Sequence, residues 1–593
     1  MSARRRSPHL VIAIVILVAL AGPLAPANGF VGADWFAPGT EYDQNFPDPH
    51  VLFHDGVYYA YATNTGGPLL PAMSSDDMQT WIAHDAWPAN PWSDDPFFND
   101  ALVRPPAWAD STGGGELWAP FVIELGGSWR AYYAIREAPG RYCISVAWGP
   151  GPLGPFEDHS SEPITCGYGP AGAIDPWVYV DDRSRPWLVW KTEPYSRADR
   201  PPNEPDDDGD DGEDGEVDDE PEEEVRFPGP MGAALWSHRL TSNGSALIDV
   251  DRDPETEVEP NLLLVAGAPW EAGIIENPAM VDIGEQLVLF YSGHRWDSHE
   301  YATSWATCWS IAGPCWRAEN EPFLRADGEL NGPGGASVFV DEWGDHRIAF
   351  HAWNAPFISY PDYPACDTDG DGRCTDQGQR FLHVESLCWI DGGPHVGIPD
   401  STPFCDVPAG SWQTAPIAWM AEQGITTGAS PVRFAPERTV TRAEAVTFLW
   451  RLAGEPVPSA PAAFDDVSPG TFFADAVAWA AEQEIVLGIT PTSFEPDGPL
   501  TRGQMATILH RAAGTPAGPA SAAGFVDVAP AAFFADAVDW MAATGVTSGT
   551  SPLTFSPFDP VTRSQMAAFL CRYTRVPVED GVVQSSALPC DSA

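Results

Sequence analysis

From about Asp43 to Ile390, apolar and polar positions alternate in short runs. The clearest are Val57–Thr63, Trp129–Ile135, Pro186–Trp190, Gln286–Tyr291 and His346–His351. Alternation of this kind turns one face of an extended chain inward, so each run predicts a strand. Most follow a turn containing glycine, such as Asp55-Gly56 or Gly126-Gly127, which predicts hairpins. Five such units, about 50 to 100 residues apart, predict radial repetition: an all-β five-bladed propeller over residues 40–395.

From Phe404 onward the period lengthens to that of a helix, and the segment repeats three times. Thr441-Arg442-Ala443-Glu444, Thr501-Arg502-Gly503-Gln504 and Thr562-Arg563-Ser564-Gln565 lie 60 and 61 residues apart. Each is a capping box, in which the Thr hydroxyl accepts from the amide three residues on and the Glu or Gln reaches back. Apolar positions then fall on one face, as at Met505, Ile508 and Leu509. A Phe-x-Pro turn precedes each box (Phe434–Pro436, Phe494–Pro496, Phe555–Pro557), and each repeat opens on Phe-x-Asp-Val at Phe404, Phe464 and Phe525. The expectation is a multidomain chain whose propeller is followed by an α-helical repeat domain of residues 404–573. Its repeats are 404–455, 464–515 and 525–573, with two main helices each, and a tail of 574–593 follows.

The chain has 593 residues and a net charge of -54. Fifteen acidic residues fall between Glu204 and Glu224, and without them the charge is still -39, so acidity belongs to the whole chain. A surface of this sign repels nucleic acid and anionic lipid, which excludes both as expected partners. The acidic run predicts a solvated insertion over 202–225. Of 30 basic residues only Lys191 is a lysine.

Residues 1–27 read as an export signal: Arg4, Arg5 and Arg6 form the positive start, His9–Ala21 is mostly apolar, and Ala25-Pro26-Ala27 is a small-x-small cleavage site. The apolar stretch is too short for a comfortable membrane span, and no membrane span is expected in the mature protein. Export makes disulfides of the ten cysteines. Proximity in sequence suggests Cys143–Cys166, Cys308–Cys315, Cys366–Cys374, Cys388–Cys405 and Cys571–Cys590.

Three carboxylates stand in similar settings. Asp48-Pro49, Asp175-Pro176 and Glu276-Asn277-Pro278 each open an apolar run. Aspartate before proline is also an ordinary way to start a strand, so one such motif says little. Three of them, in order across a five-unit β domain, resemble glycoside hydrolase family 43. Leu117–Pro120, Phe290–Gly293, Tyr301–Thr303 and Ala349–Trp353 extend the likeness. The resemblance implies that Asp48 is the general base activating water and Glu276 the general acid. It makes Asp175 the residue that orients Glu276 and raises its pKa, and the reaction hydrolysis with inversion. Inversion places acid and base about 6.5–9.5 Å apart, leaving room for a water. Trp118 and Phe121 become candidate sugar-stacking residues, with core packing the equal alternative for both. Where many relatives have Gly-Pro-Gly-His, this chain has Gly332-Pro333-Gly334-Gly335, which disfavours a central ion held by that histidine; His351 reads as a packed strand residue. Sucrose-cleaving five-bladed enzymes carry Arg before the middle Asp, and Ile174 stands there instead.

Asp367, Asp369 and Asp371 alternate as in a calcium loop, which makes a structural Ca²⁺ a candidate there although no cofactor is required; the twelfth position is Gly378 rather than Glu. The three helical repeats resemble S-layer homology domains. Arg442, Arg502 and Arg563 each place a cation in the first turn of a helix, against the macrodipole. An acidic cell-wall polysaccharide docking on guanidinium and free amides would account for them. The combined reading is a secreted glycosidase held at the cell wall and cleaving arabinose- or xylose-containing plant polysaccharides. The alternatives are a non-catalytic glycan-binding surface protein and a structural component of the surface layer.

Overall fold

The structure, a computed structural model, describes residues 45–64, 68–84, 100–110, 116–167, 171–192, 232–248, 260–327, 330–353, 378–516, 524–576 and 590. The export signal, the acidic run, Asp367, Asp369, Asp371 and the Cys366–Cys374 pair lie outside the described residues. The chain divides into two compact units at residues 387/388.

The described residues contain five sheets in sequence order, antiparallel but for one edge pair. The first holds β1 (His50–His54), β2 (Val57–Tyr61), β3 (Ala72–Ser75) and β4 (Ile82–Ala83). The second holds β5 (Leu102–Arg104), β6 (Leu117–Leu125), β7 (Ser128–Ala138), β8 (Arg141–Gly149) and β9 (Phe156–Glu157), ordered β5-β9-β8-β7-β6 with β5 parallel to β9. The third is β10 (Ala173–Val180), β11 (Pro186–Thr192), β12 (Ala234–Arg239) and β13 (Asn261–Val265). The fourth is β14 (Ile275–Ile283), β15 (Gln286–Gly293), β16 (Ala302–Cys308) and β17 (Cys315–Arg317). The fifth is β18 (Asn331–Val340), β19 (His346–Trp353), β20 (Arg380–Ile390) and β21 (Gly393–Val396).

The five alternating runs in the sequence are β2, β7, β11, β15 and β19, each next to the innermost strand of its sheet. Asp55 and Gly56 both have positive φ, as the two-residue turn between β1 and β2 requires, and Asp391 and Gly392 repeat it between β20 and β21. The innermost strands β1, β6, β10, β14 and β18 touch in cyclic order, so the five sheets are the blades of a closed propeller. Phe46 donates its amide to the Arg380 carbonyl at 2.7 Å, which joins the start of the first blade to the fifth. Apolar residues such as Leu70, Leu117, Val122 and Phe156 fill the space between blades one and two. Disulfides Cys143–Cys166, Cys308–Cys315, Cys388–Cys405 and Cys571–Cys590 form as expected.

The C-terminal unit holds six helices among the described residues: α1 (Thr414–Glu422), α2 (Arg442–Leu452), α3 (Ala474–Glu482), α4 (Arg502–Ala512), α5 (Ala535–Ala543) and α6 (Arg563–Tyr573). Thr441, Thr501 and Thr562 cap α2, α4 and α6 with the expected boxes. The three repeats close into a ring. Leu500 donates to Val440, Val561 to Leu500 and Val440 to Val561, at 2.8–3.1 Å. Helix pairs α2 with α3, α4 with α5 and α6 with α1 complete the circuit. Asp406, Asp466 and Asp527, the third residues of the Phe-x-Asp-Val openings, accept the amides of the three Phe-x-Pro turns, whose central residues Ala435, Glu495 and Ser556 have φ near 58°. Among the described residues no helix is long and apolar enough to cross a membrane.

Candidate active site

The inner strands of the propeller start alike. Asp48, Ala119, Asp175, Asn277 and Gly335 all have positive φ, between 44° and 61°. In four blades proline follows, and it cannot donate to the ladder; blades two to five show a register shift at this point. Aspartate, asparagine and glycine adopt this left-handed conformation more readily than other residues, and a pre-proline position makes it rarer still. Such strain costs of order 1–3 kcal/mol per residue and persists only where the surroundings hold it. The five positions form one layer around the axis. One residue earlier stand Pro47, Trp118, Ile174, Glu276 and Gly334; two residues later stand His50, Phe121, Trp177, Ala279 and Ser337.

Within this frame the three predicted carboxylates converge. The Asn277 amide donates to Asp175 Oδ2 at 2.9 Å, while its Nδ2 donates to Asp48 Oδ1 at 3.2 Å. One residue, adjacent to Glu276, therefore ties the other two acids. Thr63 Oγ1 donates to Asp48 Oδ2 at 2.7 Å and accepts the Ala119 amide at 2.8 Å. Arg380 Nη1 stands 3.5 Å from Asp48 Oδ1, with its guanidinium over the Trp296 ring at 4.7 Å. Glu276 Oε2 accepts from Lys191 Nζ at 2.9 Å.

The acids differ in burial. Asp175 is buried, whereas the Asp48 and Glu276 side chains keep 16% and 12% exposure, enough to meet a substrate. Burial, followed by the Glu276 charge, raises the Asp175 pKa well above the ordinary carboxylate range, and Lys191 offsets part of the rise. Tyr301 is pushed well above its usual value by burial and then by Glu276 and Asp48.

His351 is fully buried and accepts the Asp48 amide on Nδ1 at 3.0 Å, so the neutral ring carries its proton on Nε2. Burial drives its pKa well below the usual value, with the Arg380 charge second. It is thus a packed residue, as expected, and it also holds the backbone of Asp48. At Gly335 a Cβ would lie 2.6 Å from the His351 ring and 2.8 Å from Asp48 Oδ1, at a φ of +61°. The residues present do not fit a central ion held by a histidine at that position.

Two expectations need correction. Phe121 is 5% exposed, wedged between His50 at 4.3 Å and Trp177 at 4.5 Å. These rings line a small axial cavity of about 30 Å³ together with Asp48, Asp175 and Asn277, and Phe121 is packed among them rather than presenting an open face to sugar. Trp118 occupies the second-blade position corresponding to Glu276, partly exposed and stacked on Tyr142 at 3.8 Å.

The arginines are the second correction. Arg442, Arg502 and Arg563 are 5%, 4% and 2% exposed. Their Nε atoms donate to Phe494, Phe555 and Phe434 carbonyls at 2.6–2.8 Å, each in the next repeat around the ring. Each guanidinium also lies over the ring of that phenylalanine, at 4.6–4.7 Å. The first-turn amides are also taken: Arg442 donates to Gly498, Arg502 to Asp559 and Arg563 to Arg438. The groups expected to dock an anion are engaged within the chain itself. Burial lowers all three pKa values, that of Arg563 to about 10.

Sequence reading missed Asn277, Lys191, Thr63 and Arg380. Asn277-Pro278 was a visible signal, because it continues the series Asp48-Pro49, Ala119-Pro120 and Asp175-Pro176.

Comparisons with known proteins bear on both units. An S-layer protein of Bacillus thuringiensis subsp. finitimus is 30% identical over 177 residues, which is 28% of this chain and 21% of that protein. An endoglucanase of Bacillus sp. (strain KSM-635) is 36% identical over 110 residues, 18% of this chain and 12% of that one. The chain thus spans about a fifth or less of the length of these curated relatives. Among solved structures, a thermostable family-43 glycoside hydrolase is 19% identical with a TM-score of 0.42, covering 63% of this chain and 98% of that one. An endo-arabinase from Bacteroides thetaiotaomicron VPI-5482 is 18% identical with a TM-score of 0.38, covering 59% and 96%. Residues 42–204 match the profile of glycosyl hydrolases family 43, and residues 403–446, 463–506 and 524–567 match the S-layer homology domain. The chain therefore carries a family 43 glycosyl hydrolase domain followed by three S-layer homology domains.

Proposed function

We propose that the chain is a cell-surface glycosidase that hydrolyses arabinose- or xylose-containing glycans with inversion. Asp48 takes a proton from water as the water attacks the anomeric carbon. Glu276 gives its proton to the leaving oxygen as the glycosidic bond breaks. Asp175, buried beside Glu276 and itself held above the ordinary carboxylate range, fixes the Asn277 amide between them. Trp118, partly exposed at the second-blade position equivalent to Glu276, offers a sugar-stacking face.

The observation that carries the reading is the Asn277 bridge, which gathers Asp48 and Asp175 from separate blades beside Glu276. Glu276→Gln should nearly abolish release of sugar from arabinan or xylan oligosaccharides. Aryl pentosides with activated leaving groups, which need little protonation, should suffer less. Undiminished turnover of natural glycan by this variant would remove Glu276 from the acid role. The three S-layer homology domains supply the anchoring half of the proposal: the chain is exported and held on an acidic cell-wall polysaccharide. Full-length protein should pellet with wall preparations, and extraction of that polysaccharide from the walls should abolish pelleting. Pelleting that survives extraction would count against the anchor.

A further inference from the structure

Lys191 is the sole lysine of a chain with 30 basic residues. It is 1% exposed, on β11, and pairs in register with Ile174, the neighbour of Asp175. Its ammonium is 2.9 Å from Glu276 Oε2. A cation so close to a general acid poses a puzzle, because it favours the ionised form that cannot donate. Its value must then lie in the proton-transfer step and not in the resting state.

Resting on the hydrolase reading above, we propose that Lys191 is a positioning residue for Glu276: it fixes Oε2, leaves Oε1 to carry the transferable proton, and stabilises the carboxylate formed when that proton is given up. As the anomeric carbon–oxygen bond breaks, the bonding pair stays on the glycosidic oxygen, which takes the proton from Glu276. The oxygen of the attacking water bonds to the anomeric carbon and its proton passes to Asp48. Negative charge therefore grows on Glu276 2.9 Å from the fixed ammonium, so the attraction strengthens along the reaction coordinate. Lysine suits the task better than arginine. It is a compact point charge that can bond one carboxylate oxygen, whereas a guanidinium fork pairs both and would occupy Oε1 as well.

The charged and titratable groups around Glu276 are Asp175 from β10, Lys191 from β11, Asp48 ahead of β1 and Tyr301 ahead of β16. Arg380 and His351 face Asp48. Behind Gly293, the strand partner of Ile275, stands Glu271, itself paired with Arg317. Among these groups Lys191 is the cation that contacts Glu276 directly. Its removal should favour the protonated acid and yet slow its use.

The test compares wild type, Lys191→Met and Lys191→Gln on a natural pentose oligosaccharide and on an activated aryl pentoside. For Lys191→Met, kcat on the oligosaccharide should fall about tenfold to a hundredfold, with a smaller loss on the aryl substrate. The alkaline limb of kcat/KM should move up by about one pH unit. Lys191→Gln keeps a hydrogen bond without charge, and should show the same limb shift with a smaller loss of kcat. An unmoved limb in both variants, or equal losses on both substrates, overturns the proposal while leaving the hydrolase reading intact. Wild-type protein inactive on every pentoside would instead remove the hydrolase reading. Should the variants fail to fold, ¹⁵N-lysine labelling of the full chain yields a single Nζ signal. That signal should titrate at the alkaline limb of wild type and lose this titration in Glu276→Gln. A signal indifferent to Glu276→Gln overturns the proposal.

Discussion

The propeller axis and the C-terminal ring are both built by cyclic repetition, and both bury charge at the junctions between repeats. They differ in what the repeats do with equivalent positions. In the ring the three junctions share one bond: Arg442, Arg502 and Arg563 each donate to the carbonyl of a phenylalanine in the next repeat. Each guanidinium is held by that carbonyl and by the ring beneath it, and the result is a lock. On the axis the five equivalent positions are Asp48, Ala119, Asp175, Asn277 and Gly335, with shared backbone and different side chains. Their charges stay only partly compensated, and the result is a site. Equal repeats produce stability; unequal repeats on one backbone produce chemistry.

The comparison breaks most sharply at Asp48. Asp48→Asn should cost about 10²–10⁴ in kcat on every substrate, because Asp48 is the carboxylate held by both Thr63 Oγ1 and Asn277 Nδ2. Steady-state rates on an activated aryl pentoside measure this, since that substrate depends little on the acid. A tenfold loss or less would place the base elsewhere.

In the ring, Arg563→Met should destabilise the C-terminal unit by about 2–4 kcal/mol, through loss of a buried charged hydrogen bond and of the Glu444 contact. Hydrogen exchange should speed up in α1 to α6, while pentoside hydrolysis stays unchanged. Unaltered exchange would mean that the arginines are not what closes the ring.

Asn277→Ala sharpens the comparison. It keeps the amide that Asp175 accepts but deletes the Nδ2 bond to Asp48, and should lower kcat by about tenfold with little change in KM. A change confined to KM would make Asn277 a substrate ligand instead.

The smallest effect tests the uncompensated charge itself. Burial and Glu276 raise the Asp175 pKa, so the folded chain holds a proton that the unfolded chain has released. The stability this group supplies is complete below the unfolded aspartate value of about 3.9 and is lost as pH rises through the folded value. A carboxamide in its place needs no proton. Asp175→Asn should therefore gain at least about 1 kcal/mol over wild type at pH 8 and lose that advantage near pH 4, read from urea midpoints. A constant difference across this range would mean that Asp175 is not held protonated.

Much of this was legible in the chain. Alternation, after a turn glycine in four blades as at Val57–Thr63, placed the second strand of every blade, and the Thr-x-x-Glu/Gln boxes placed three helix starts. Asp48 and Asp175 carried a local signature because each strand opens on a residue tolerant of positive φ ahead of proline, and Glu276 shared it because its neighbour Asn277 fills that position. Contacts between repeats were not legible. The arginines read as solvent-facing cations because the macrodipole argument assumes free first-turn amides, and only docking with a turn some fifty residues away, as between Arg442 and Phe494, fills them. Phe121 misled because the register shift after Trp118 turns it down the axis, which composition cannot reveal. Lys191 was conspicuous as the single lysine, yet its pairing with Glu276 spans 85 residues and two blades.

Whether Asp48, Asp175 and Glu276 act as one hydrolytic site is tested most directly by proton NMR of the sugar that wild type releases. On a pentose oligosaccharide the first-formed product should carry the inverted anomeric configuration, and the signal should vanish in both Asp48→Asn and Glu276→Gln. A retained anomer, or release that survives either substitution, would contradict a single site of this kind.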